Sequence, residues 1–69
     1  MDFDQVWQQL HDAVAHFNRK REYGELTALE QSHINYELKF AFGMMLDREY
    51  TQAHYYINRG NAHMNATAH

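Results

Sequence analysis

The chain has 69 residues, no cysteine, no proline, three glycines and a formal net charge of −3. That length allows one domain with a small core, and the missing cysteines exclude disulfides, a thiolate metal site and a cysteine nucleophile. The scarcity of proline and glycine favours long helices over a turn-rich β fold, and the mild acidity weighs against non-specific binding to nucleic acid or anionic lipid.

The first stretch, MDFDQVWQQL, is acidic and has neither a basic leader region nor a continuous apolar core, so it does not read as a signal peptide. No apolar run approaches the ~20 residues that span a bilayer, and a cytoplasmic protein is expected. From there to about Arg21, Phe3, Val6, Leu10, Ala13 and Phe17 alternate spacings of three and four, which predicts an amphipathic helix over about 4–21. The helix is expected to start at Asp2 or Asp4, with Asp4 the N-cap candidate. Arg19, Lys20 and Arg21 suit the negative end of the helix dipole, and Gly24 is the natural stop.

The second helix, about 27–46, opens on Thr27-Ala-Leu-Glu30, the spacing of a capping box. Leu26, Leu29, His33, Tyr36, Phe40 and Met44 form one apolar row, and Ile34, Leu38, Ala41 and Met45 form a second. Two such rows predict a central helix with neighbours on both sides. Gly43 lies inside it at a cost of about 1 kcal/mol against alanine, which close approach by the third helix would offset.

The third helix, about 48–65, is expected to start from Asp47 as N-cap with Glu49 in its first turn. Tyr50, Ala53, Ile57, Gly60 and Met64 repeat at three and four, and residues 66–69 should fray. With short connections these three helices predict a single all-α domain over 1–69, an up-down-up bundle with antiparallel neighbours. Through Gly43, Leu46, Tyr50, Ala53 and Ile57 the last two helices resemble a single tetratricopeptide hairpin. The turn is shorter than in that family, a second repeat and the closing proline are missing, and no function is carried over.

Candidate chemistry is sparse. Glu30-Gln-Ser-His33, with Glu37 one turn on, has the Glu-x-x-His spacing with which di-iron carboxylate bundles present ligands. One copy of that motif makes half a site. Glu30 is better explained as the capping residue and Glu37 as facing water, so no metal and no cofactor are expected. His11 and His16 do not share a helical face, and neither His54 nor His63 has a carboxylate one turn away on its own face. Six histidines place a charge reversal, from −3 to +3, near the usual imidazole pKa, with low solubility there.

No phosphate loop, nucleophile elbow or carboxylate pair is present. Three helices of this size also leave no room for a pocket of ~300 Å3 unless the chain oligomerises, so neither an enzyme nor a small-molecule substrate is expected. Arg19, Lys20 and Arg21 are the only basic run. The third helix carries little beyond Arg59, which leaves nucleic-acid binding a second reading that needs a dimer to pool its bases.

Interaction with protein has more behind it. One tryptophan, four phenylalanines and five tyrosines crowd a short chain. Tyr50, Tyr55 and Tyr56 cannot all point inward with Ala53 and Ile57. Together with Arg59 and Met44 they form the expected protein-binding set, since tyrosine, methionine and arginine are enriched at interface cores. The expectation is a non-enzymatic accessory or regulatory factor of bacterial or phage type. It is expected to be a homodimer through the second and third helices, with a basic protein as a further partner. A dimeric DNA-associated regulator is the alternative, and a metal-binding helical dimer through Glu30-x-x-His33 is third.

Overall fold

The computed structural model describes residues 2–66 and contains three helices: α1 (Phe3–Glu22), α2 (Ala28–Leu46) and α3 (Tyr50–Ala66). The molecule measures 34 × 17 × 16 Å. A helix of about 20 residues is about 30 Å long, so the helices lie side by side along the long axis as a three-helix bundle. Thr67 to His69, most of the segment expected to fray, lie outside the described residues. Ala66 is the last residue of α3.

Each helix contributes one row to the core at spacings of four, three and four: Val6, Leu10, Ala13 and Phe17 from α1, Ile34, Leu38, Ala41 and Met45 from α2, Ala53, Ile57, Gly60 and Met64 from α3. These spacings average about 3.7 residues, close to the 3.6 of a helical turn, and so keep one face toward the neighbouring helices along the whole row. Leu26 closes the α1–α2 end, and Met44, Tyr50 and Tyr56 pack against the core from its edge.

The helix ends follow local chemistry. Asp2, not Asp4, caps α1. Its carboxylate accepts from the Gln5 N–H at 2.9 Å and the Gln5 side chain accepts from the Asp2 N–H at 3.2 Å, a reciprocal pair that Asp4 lacks. Thr27 and Glu30 form the expected box on α2, at 3.1 and 2.8 Å. Arg19, Lys20 and Arg21 occupy the last turn of α1 as expected.

Both connections use one motif. At the first, Gly24 N–H donates to Arg21 O and Glu25 N–H to Lys20 O. At the second, Arg48 N–H donates to Met45 O and Glu49 N–H to Met44 O. This is the Schellman pattern, which needs a left-handed residue just past the cap. Gly24 has φ 67° and Arg48 φ 62°. Asp47 therefore closes α2 instead of opening α3, and α3 begins at Tyr50, two residues later than the spacing of acids suggested.

Two further expectations are corrected. Gly43 is not the point of close approach: a Cβ there would meet nothing within 4 Å, whereas one at Gly60 would stand 3.2 Å from Leu38 Cδ2. And α2 is not enclosed on both sides. Its Ile34 row is buried, but Leu29, Tyr36 and Phe40 of the other row are exposed, Leu29 at 69% and Tyr36 at 63%. A bundle of three offers α2 two neighbours on one side only.

Candidate binding surface

The uncovered row of α2 continues onto α3 as a chain of rings. Tyr36 and Phe40, one turn apart, have centroids 4.8 Å apart. Phe40 meets Tyr56 of α3 at 5.3 Å, and Tyr56 meets Tyr55 edge-on at 5.4 Å. Arg59, one turn on, donates from Nη1 to Tyr55 Oη at 3.1 Å, with its guanidinium 5.7 Å from the ring centroid. These contacts, the Tyr55 hydroxyl first and the Glu37 carboxylate second, raise the Arg59 pKa above its already high value.

Of the five residues expected at a protein interface, Tyr55, Tyr56 and Arg59 are thus contiguous. Met44 borders them in a shallow groove with Tyr36, Lys39, Phe40, Gly43 and Asp47. Tyr50 stands apart: it is half-buried against the core and meets Phe3 of α1 edge-on at 6.2 Å. Phe3, Trp7 and Phe42 form a second exposed aromatic group there, at 5.7 and 6.2 Å.

Spacing alone does not mark Tyr36 and Phe40 as surface residues, because two apolar rows on one helix leave open whether the first helix or a second chain covers the outer one. The signal lay in α3, whose Ala53–Gly60 stripe is wide enough to cover only one row of α2.

Farther along the same α2–α3 seam, sharing Arg59 with the aromatic run, is a cleft of about 490 Å3, lined by Leu29, Glu30, His33, Glu37, Arg59 and His63 among others. It exceeds the space expected from a chain of this length, and the buried Glu37 is part of its lining. Glu37 does not face water; it is 6% exposed. Its Oε1 lies 3.2 Å from Nδ1 of His63 and its Oε2 lies 3.5 Å from Nε of Arg59. Neither Glu37 Oε2 nor His63 Nδ1 completes a well-aligned hydrogen bond. The rings of His33 and His63 meet edge-on at 6.3 Å.

The three metal candidates are divided in their tasks. Glu30 accepts from Thr27 N–H in the cap, His33 is exposed, and Glu37 turns toward α3. Among the described residues no three histidine or acidic side chains converge on a metal-sized centre.

Two of the basic triplet are also engaged locally. Lys20 pairs with Glu25 at 3.8 Å, and the Arg21 guanidinium lies 5.6 Å from the Phe17 ring centroid. No helix among the described residues is long and apolar enough to cross a membrane.

No protein-family model, curated protein or solved structure matches the chain.

Proposed function

We propose that this protein is a non-enzymatic helical module that acts by binding protein through the aromatic side of α2 and α3, its first partner being a second copy of itself. The observation that supports this reading is the unbroken run Tyr36, Phe40, Tyr56 and Tyr55, whose neighbouring rings lie 4.8 to 5.4 Å apart at the surface. Burying apolar surface contributes about 25 cal/mol per Å2, and aromatic anchors beside an arginine are the usual core of an interface. A small domain with a thin core also gains more from association than a large one. Such a module suits an accessory or regulatory factor. The net charge of −3 favours a basic protein as any further partner.

Sedimentation equilibrium of the untagged chain and of Phe40→Ser tests this. The wild-type mass should rise above 8.3 kDa with concentration, while the variant, helical by circular dichroism, stays monomeric. A wild type that remains monomeric up to about 1 mM, where even weak specific pairs associate, would overturn the reading.

A further inference from the structure

The groove on α2, about 410 Å3, has two unlike halves on either side of Gly43. Tyr36, Lys39 and Phe40 line the half before it, and Met44 and Asp47 the half after it. Lys39 stands one helical turn before the glycine and Asp47 one turn after, each about 6 Å along the axis. Neither has an ion-pair partner among the described residues. Nothing inside the chain uses the missing Cβ of Gly43, because one placed there would meet open space. A glycine in a helix interior nonetheless costs about 1 kcal/mol relative to alanine.

A two-fold axis perpendicular to α2, passing just outside Gly43 and midway between two copies, sets this groove against its own image. It runs two α2 helices antiparallel and sets Lys39 of each copy opposite Asp47 of the other. It also lays Tyr36 and Phe40 of each copy along the Met44 half of the other. A surface that is self-complementary under a two-fold is what an isologous dimer requires. The bare backbone at the axis allows the helices to approach at the short end of the usual 8–10 Å range.

We propose that the protein forms an antiparallel homodimer whose α2 helices cross at Gly43, with Lys39 paired to Asp47 of the second copy on both sides of the axis. This rests on the reading of the α2–α3 face as a binding surface and names its occupant and register.

The test is charge reversal in full-length chains. Lys39→Asp and Asp47→Lys each place like charges at both contacts, and each should self-associate at least about tenfold more weakly than wild type. That is the scale of two attractive surface pairs lost and two repulsive ones gained. Mixed in equal amounts, the two variants restore opposite charges at both contacts. Native mass spectrometry should then find mainly the heterodimer, with affinity near that of wild type. Gly43→Leu should remain helical by circular dichroism and become monomeric. If the wild type dimerises while the charge variants associate as it does, or the mixture shows no preference for the heterodimer, this register is wrong and the aromatic face still stands. A wild type that never dimerises removes both.

Discussion

Gly60 of α3 lies so close to Leu38 of α2 that a Cβ on the glycine would stand 3.2 Å from Leu38 Cδ2, tighter than an ordinary van der Waals contact. Leu38 is buried and cannot swing aside freely. Gly43, equally mid-helical, has no such neighbour. The same substitution should therefore act differently at the two sites. Gly43→Ala should raise the stability of the dilute monomer by about 1 kcal/mol through helix propensity. At Gly60→Ala that gain is offset by crowding, and the protein should be no more stable than wild type. Urea midpoints read the difference. Equal shifts for the two variants would mean that α2 and α3 have room to separate.

Arg48 occupies the left-handed position that Gly24 occupies at the other connection, with φ of 62° against 67°. A residue with a Cβ pays roughly 1–2 kcal/mol there. Arg48→Gly should stabilise the protein by about 1 kcal/mol, part of the relief being returned through the more flexible unfolded chain. The mirror change, Gly24→Arg, should cost a similar amount. An Arg48→Gly protein less stable than wild type in thermal melts would mean that the arginine side chain itself holds the connection.

What was legible in the sequence was what repeats locally. The rows Val6–Leu10–Ala13–Phe17 and Ala53–Ile57–Gly60–Met64 follow from spacing, although the same spacing heads them with Phe3 and Tyr50, of which Phe3 is exposed and Tyr50 only half-buried. The Thr27–Glu30 box is complete within four residues. On α2 two rows compete, and which is buried depends on how many neighbours the bundle supplies. Gly43 and Gly60 look alike along the chain; only the distance to Leu38 separates them. Arg48 gave no warning because a residue with a side chain disfavours the conformation that the Schellman hydrogen bonds from Arg48 and Glu49 N–H impose. Glu37 looked like a solvated acid because its partners, Arg59 and His63, arrive from another helix.

His54 joins α3 to α1. Its Nδ1 lies 2.7 Å from Gln9 Oε1, and its Nε2 lies 3.1 Å from Asn58 Nδ2. With Asn58 donating from its amide, Nε2 must accept, so the ring carries its proton on Nδ1 and donates it to Gln9. Nitrogen-15 NMR of the neutral imidazole should show that tautomer at His54. In Gln9→Leu, Nδ1 loses its acceptor, and the tautomer preference should relax. A wild-type His54 protonated on Nε2 would reverse the assigned orientation of both amides.

Among the described residues the Glu37 carboxylate is the one acidic or basic group that is buried, and its partners are poor. Arg59 Nε is 3.5 Å away on a half-exposed side chain, and His63 Nδ1, though at 3.2 Å, is not aligned for a hydrogen bond. Desolvating a carboxylate costs several kcal/mol, and only close, well-aligned partners repay it. Arg59 also has a bond to Tyr55 that does not involve Glu37. Glu37→Met, which preserves volume and removes the charge, should therefore leave the bundle equally stable or stabilise it by about 1 kcal/mol. Glu37→Ala opens a void beside Ile34 and His63 and should destabilise it by about 2 kcal/mol. Chemical denaturation of both variants separates the contributions of volume and charge. If Glu37→Met were as damaging as Glu37→Ala, the carboxylate would be holding α3 in place. The contacts to Arg59 and His63 would then be stronger than their geometry indicates.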